Sequence, residues 1–242
     1  FELKYFFISK KISFSREEII FLINKIIYKN KIKKVFFDID YTSYINKNFV
    51  SKINSKYKIA FSFDTEENII KINKSIGAFS HFLTAEPKLV KKFEKKLKCF
   101  FFPLETSEKY FKKMNIKKKY YIFFFGELKA DRKLYINELN KLRIRKKILI
   151  NTKNKISDTK LNKIINKSKI TINFSKGINK NSNKFYDQFK GRIITSGLAG
   201  TFCLSEKYLS SKILFQKNFP SFSNEKDMIK KINLLIKKKN YL

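Results

Sequence analysis

The chain has 242 residues, 43% of them hydrophobic, and carries 55 Lys and Arg against 20 Asp and Glu for a net charge of +35. That length suits one large domain or two small ones, and the apolar fraction excludes a disordered polyelectrolyte. Two cysteines, Cys99 and Cys203, and a single histidine, His81, exclude a disulfide framework and give a zinc site too few ligands.

The charge invites a nucleic-acid reading. Two features argue against it. The basic residues are 50 Lys and only 5 Arg, whereas readers of bases and phosphates favour the planar, bidentate Arg. The lysines are also spread through every segment among Ile, Asn, Phe and Tyr, as an AT-rich coding bias produces. A solvated basic surface is the better reading. Such a surface still favours anionic partners, a phosphorylated donor or an acidic membrane face among them. No apolar run reaches the ~18 residues of a membrane span. The opening FELKYFF has no Met and no signal-peptide pattern, and reads as the start of a fragment that lacks an N-terminal piece.

In chain order, SREEIIFLINKIIYK (15–29) has helical spacing, with Ser15 and Glu18 forming a capping box. Buried strands are expected at 33–40, 57–64, 81–85 and 98–105, several ending in an acidic residue. Helices are expected between them at 66–75 and 86–97, the latter opened by Pro87. A second series follows, with strands at 120–127, 146–152, 169–175, 200–206 and 212–218 and helices at 129–143, 158–167, 190–198 and 223–239. Continuous apolar strands alternating with helices predict α/β architecture with parallel sheets covered on both faces. The break around Pro103–Met114 separates two Rossmann-like units, 1–104 and 105–242. Facing each other, two such sheets would form a cleft at the carboxyl ends of their strands.

Only six glycines occur in the chain, and three of them, Gly191, Gly197 and Gly200, fall within FKGRIITSGLAGTFCLSE (189–206). Glycine this scarce points to close approach of backbone to something else. In YIFFFGELKADRKLY (121–135) a buried strand runs into Gly126 and then a helix with Arg132 in its first turn, a setting that favours an anion such as a diphosphate. Lys190 and Arg192 place positive charge at another helix start, where it opposes the macrodipole and makes sense if an anion sits there; the alternative is two more exposed basic residues. Asp38-Ile39-Asp40 has the form of an Asp-x-Asp metal motif, but at a strand end two aspartates more often cap a loop. His81 is a formal candidate for a general base, although a lone His on an apolar strand is more often structural.

FFFGELKADR, then ISDTKLNKIINKSKITINFS, then YDQFKGRIITSGLAGTFCLSE resemble in order and spacing the C-terminal half of GT-B glycosyltransferases of the group 1 / CgeB-like (spore-maturation) type. VFFDID, IAFSFD and FLTAEPKLVKKFEKKLKCFFFPLE resemble that family's acceptor-side domain and the linker after it. The resemblance implies two Rossmann-like domains, a nucleotide-sugar donor and an unknown glycan, lipid or protein acceptor. It also implies a cytoplasmic enzyme, with peripheral contact at the inner membrane face as an option, that needs no metal or other cofactor. By position, Gly126 would let the backbone approach the donor, and Arg132, Lys190 and Arg192 would clamp the diphosphate leaving group. Gly191, Gly197 and Gly200 would let the last cleft helix and the next strand pack beside the donor. Where relatives carry Glu-(seven residues)-Glu, this chain has Asp187, near the donor sugar as the catalytic candidate, and Thr195, at the nucleotide ribose. Glu127 stands where many relatives have Ser or Arg. The rival reading is a non-enzymatic basic binding protein, for nucleic acid or as a degenerate transferase.

Overall fold

A computed structural model describes residues 14–40, 45–103, 107–128, 131–144, 147–152, 156–178, 185–216 and 219–237. The chain divides into two compact units, one built from 1–84 and 91–100 and the other from 85–90 and 101–242. The boundary expected at 104/105 falls outside the described residues, as does the opening FELKYFF.

The first unit opens with α1 (Arg16–Lys29), whose N-terminus carries the expected capping box. Ser15 Oγ accepts from the Glu18 N–H, and the Glu18 carboxylate accepts from the Ser15 N–H. There follow β1 (Lys34–Asp38), α2 (Lys47–Ser51), β2 (Tyr57–Ser62), α3 (Ile69–Ser75), β3 (His81–Thr84), α4 (Pro87–Glu94), whose first residues to 90 count with the second unit, and β4 (Lys98–Phe101). The strands form one sheet in the order β1-β2-β3-β4, with β1 and β3 both parallel to β2. Phe37 packs edge-on against Phe79, and Phe82 against Phe93, all four rings buried. Burial of that many aromatic rings is the main force holding so short a sheet.

The second unit contains β5 (Tyr120–Phe125), α5 (Arg132–Asn140), β6 (Ile148–Asn151), α6 (Asp158–Asn166), β7 (Ser168–Asn173), β8 (Lys176–Ile178), β9 (Phe185–Asp187), α7 (Arg192–Leu198), β10 (Phe202–Glu206), α8 (Leu209–Phe215), β11 (Ser221–Phe222) and α9 (Glu225–Lys237). Its main sheet has the order β11-β10-β7-β5-β6 with every pairing parallel. Alternation along β5 shows why the run IFFF had to be apolar throughout. Ile122 and Phe124 face a core with Tyr135, Ile136 and Leu139 of α5 and Met228 and Ile232 of α9, whereas Phe123 faces the opposite side with Ile165 and Ala199.

One expected strand is a helix. The strand expected for KILFQKN at 212–218 does not form: 209–215 is α8, and the sheet's last strand is the two-residue β11. A short apolar run has no decisive period. Here Leu209, Ile213 and Phe215 remain exposed while Ser210 and Ser211 are buried, so burial follows the serines rather than the apolar residues. Also unforeseen were α2 and the antiparallel hairpin of β8 and β9. Among the described residues no helix is long and apolar enough to cross a membrane.

Candidate functional site at the β5/β7 switch point

The strand order places β5 between β6, which follows it in sequence, and β7, reached by crossing to its other side. The chain leaves β5 toward β6 and leaves β7 toward β10, in opposite directions, so the crevice beyond the carboxyl ends of β5 and β7 is the topological switch point of this sheet, the usual ligand position in open α/β folds. Two arginines occupy it. Arg192, the first residue of α7, donates from Nη1 to the Phe125 carbonyl at 3.1 Å, from Nη2 to the Phe174 carbonyl at 3.3 Å and from Nε to Asn173 Oδ1 at 3.3 Å. Arg132, the first residue of α5, donates from Nη1 to the Glu127 carbonyl at 2.7 Å and from Nη2 to the Lys176 carbonyl at 2.9 Å. Each guanidinium thus bridges the end of β5 to the end of β7.

Among the described residues no ion pair involves Arg132 or Arg192. Arg192 instead lies over the faces of Phe124 and Phe125, at 5.7 and 5.9 Å from the ring centres. Burial, and then the neighbouring charge of Arg132, lowers the Arg192 pKa to about 10. Burial lowers that of Arg132 too, against the pull of Glu206 and Asp131. Arg132 is only 4% exposed, and its Nε has no hydrogen-bond partner among the described residues. A buried unpaired N–H on a charged group is costly.

Gly126 lies between the two carbonyls of β5's end that the arginines hold. Its φ is +127°, and a Cβ there would collide with Nη1 of Arg192. The close approach expected of this glycine is to Arg192. Gly200, at φ +64°, ends α7, and a Cβ on it would press on the Lys113 side chain at 3.0 Å. Gly197 faces open space, so the expectation that it permits tight packing is corrected.

The other candidates lie nearby in different roles. Lys190 Nζ donates to Gln188 Oε1. Thr195 is buried, and its hydroxyl donates back to the Gly191 carbonyl within the helix at 2.9 Å. Asp187 ends β9 and pairs across the hairpin with Lys176, whose carbonyl holds Arg132. The Asp187 carbonyl accepts from Lys88 Nζ at 3.0 Å.

Residues not singled out from sequence complete the site. Glu206, at the end of β10 and 1% exposed, accepts from the N–H groups of Ser175 and Lys176 and from the Ser175 hydroxyl. It also pairs with Lys176 Nζ at 3.0 Å. Burial works against the Lys176 ammonium, but Glu206 and Asp131 together raise its pKa. Glu206 therefore fixes the turn from which the Arg132-binding carbonyl hangs. Glu86, also 1% exposed, accepts from the Phe189 N–H at 2.8 Å and from the Ser210 hydroxyl, anchoring the loop that leads into Arg192. An acidic residue closing an apolar strand was the available signal for Glu206; Glu86 offered only its place before Pro87.

In the first unit, Asp40 accepts from Ser62 Oγ at 2.5 Å, the N–H groups of Phe63 and Asp64, and Asn68 Nδ2, while Asp38 accepts from the Asp40 N–H. This is loop capping at a strand end. Among the described residues no group of three His, Cys, Asp or Glu side chains could hold a metal ion. His81 Nδ1 bonds Ser80 Oγ at 2.9 Å, and its ring packs between Tyr57 and Phe100.

The sequence matches no protein-family model and no curated protein. Solved structures similar in fold include the following three. A glycosyltransferase from Rickettsia africae ESF-5 superposes with a TM-score of 0.60 at 12% identity, covering 96% of this chain and 74% of its own. A Listeria monocytogenes protein assigned as a UDP-N-acetylglucosamine 2-epimerase gives 0.54 at 10% identity, covering 93% and 72%. The Glycosylation Associate Protein (Gap123) complex from Streptococcus agalactiae gives 0.54 at 10% identity, covering 93% of this chain and 52% of that one. The chain has the two-domain α/β fold of GT-B proteins. At these identities the likeness is one of fold, and function rests on the site.

Proposed function

We propose that the β5/β7 crevice binds the diphosphate of a nucleotide-sugar and that the protein is a glycosyltransferase acting on a glycan, lipid or protein acceptor. The observation that carries this reading is the pair of guanidiniums at the switch point, without an ion pair among the described residues and with an unbonded N–H at Arg132. Each guanidinium has more N–H donors than its bonds to carbonyls use. A diphosphate accepting from them would add negative charge bonded to both groups and relieve the burial penalty. The similarity in fold to proteins described as a glycosyltransferase and a UDP-sugar epimerase supports the same class.

In this reading Arg132 and Arg192 stabilise charge that grows on the nucleoside diphosphate as the sugar–oxygen bond breaks, a fixed electrostatic contribution that does the work a metal does elsewhere. Asn173 orients Arg192, and Glu206 orients the Lys176 carbonyl that holds Arg132. Asp187, one hairpin rung from that carbonyl, is the proposed carboxylate on the sugar side. Lys190 adds charge at the crevice edge.

The test is a screen of UDP- and GDP-sugars for release of nucleotide, with melting temperature followed in parallel. One donor class should raise the melting temperature and be slowly hydrolysed or transferred without added metal. Indifference to every donor, together with tight and steeply salt-dependent binding of RNA or DNA, would favour the non-enzymatic basic-protein reading instead.

A further inference from the structure

We propose that Asn173 and Ser205 form a hydrogen-bonded relay of fixed polarity that aims Arg192 without neutralising it, and that Ser205 is thereby a positioning residue of the anion site. The proposal rests on the diphosphate reading of the crevice and adds to it what keeps the guanidinium charge available.

Among the described residues, Arg192 is held by the backbone carbonyls of Phe125 and Phe174 and by one side chain, Asn173, whose Oδ1 lies 3.3 Å from Nε. Asn173 is the last residue of β7 and fully buried. Ser205 on β10, also fully buried, stands directly opposite it in the parallel register. Side chains at opposed positions project from the same face of a sheet. These two meet, and Asn173 Nδ2 donates to Ser205 Oγ at 2.8 Å. Ser205 Oγ in turn donates to the Glu206 carbonyl at 3.1 Å.

Each link has one direction. A guanidinium has only donors, so the amide must turn its oxygen to Arg192. Its NH2 group then needs an acceptor on the other side. The Ser205 hydroxyl has a single proton, which goes to the Glu206 carbonyl, and a lone pair of Oγ is left for Asn173. Without Oγ, Asn173 Nδ2 loses this buried acceptor, and flipping the amide would only aim its NH2 at the guanidinium. Glu206 supports both arginines in this arrangement. Its backbone carbonyl ends the relay from Arg192, and its carboxylate fixes the turn whose Lys176 carbonyl holds Arg132.

The chemistry of position 173 matters as much as its geometry. An aspartate there has nearly the same shape and could accept the same bond from Nε. It would also form an ion pair and offset the burial of a charge that is already in place. Stability alone therefore favours the acid. The amide gives direction without charge and leaves the positive charge of Arg192 to a ligand.

Three measurements on the whole chain test the proposal: titration calorimetry with inorganic pyrophosphate, melting temperature, and solvent exchange of the Arg192 Nε–H by NMR. Asn173→Asp should melt at or above the wild type and bind pyrophosphate about tenfold more weakly. A role in packing alone would move stability and affinity in the same direction. Ser205→Ala should weaken pyrophosphate binding about fivefold and speed Nε–H exchange in the free protein, whereas Ser205→Thr, which keeps the hydroxyl, should bind within about twofold of the wild type. Asn173→Asp binding as tightly as the wild type, or Ser205→Ala and Ser205→Thr equal in affinity, would overturn the proposal. A wild type that does not bind pyrophosphate sinks the diphosphate reading itself. Faster Nε–H exchange in Ser205→Ala would then still support the relay, and unchanged exchange would overturn it as well.

Discussion

Arg132 and Arg192 make the same bridge two residues apart. Arg192 joins the carbonyls of Phe125 and Phe174, and Arg132 joins those of Glu127 and Lys176. Strands β5 and β7 stop pairing where this ladder begins, and the guanidiniums replace the missing rungs. Two positive charges are thus held close together, where the charge of Arg132 works against that of Arg192 and an anion would serve both.

Gly126 is the position where this arrangement is most sensitive. Gly126→Ala adds a methyl group where Arg192 Nη1 lies and forces a side chain into positive φ. A loss of about 1–3 kcal/mol in urea unfolding is expected, together with at least a tenfold weaker response to pyrophosphate. A variant as stable and as responsive as the wild type would mean that Arg192 is free to move aside.

The buried Arg192 guanidinium gives the protein a pH signature. Its folded pKa is lowered to about 10 from the model-compound value of 12.5. Between those two values the unfolded chain holds the proton and the native chain releases it, so this group makes stability rise with pH. Its cost is fully present below about pH 10. The difference in unfolding free energy between wild type and Arg192→Met cancels the lysine background. It should be constant from pH 7 to 9 and shift in favour of the wild type above pH 10. A flat difference through pH 11 would contradict the burial of the charge.

Glu86 should behave as an anchor. Glu86→Ala leaves the Phe189 N–H and the Ser210 hydroxyl without their acceptor, at a cost of about 1–3 kcal/mol for each buried group that finds no other partner. Glu86→Gln keeps a carbonyl oxygen for the Phe189 N–H and should recover part of that loss. Equal stability of the two variants would show that the bond to Phe189 contributes little.

Both thiols should be inert in the native state. Burial pushes Cys99 up to about 12 and Cys203 up to about 11, so neither offers thiolate at pH 8. Reaction with a thiol-specific reagent should be slow in buffer and rapid in urea, with both cysteines titrating. Fast native labelling of either one would place it nearer the surface.

The order of elements was legible because both units alternate apolar strands with amphipathic helices, and a strand buried on both faces announces itself as a continuous run such as YYIFFF. The places of Arg132, Arg192 and Gly126 in the fold were legible for a related reason, since a helix start after a buried strand is a fixed position in such a fold. The partners were not. The acceptors of the two guanidiniums are mostly backbone carbonyls, which carry no residue signature, and Glu206 reaches Lys176 across 30 positions of sequence. Thr195 could be located, but its hydroxyl turning inward to Gly191 depends on packing that spacing does not encode. The helix at 209–215 was missed because KILF fits either period and only tertiary burial of Ser210 and Ser211 decides it.

Isothermal titration of UDP and of inorganic pyrophosphate into wild type, Arg132→Lys and the surface control Lys25→Ala measures the central claim most directly. The account predicts saturable one-to-one binding in wild type and in Lys25→Ala. It predicts at least a tenfold loss in Arg132→Lys, whose point charge cannot bridge two carbonyls and a phosphate together. Weak, multi-site binding that is equal in all three proteins and vanishes with salt would contradict it, leaving only the diffuse attraction of a basic surface.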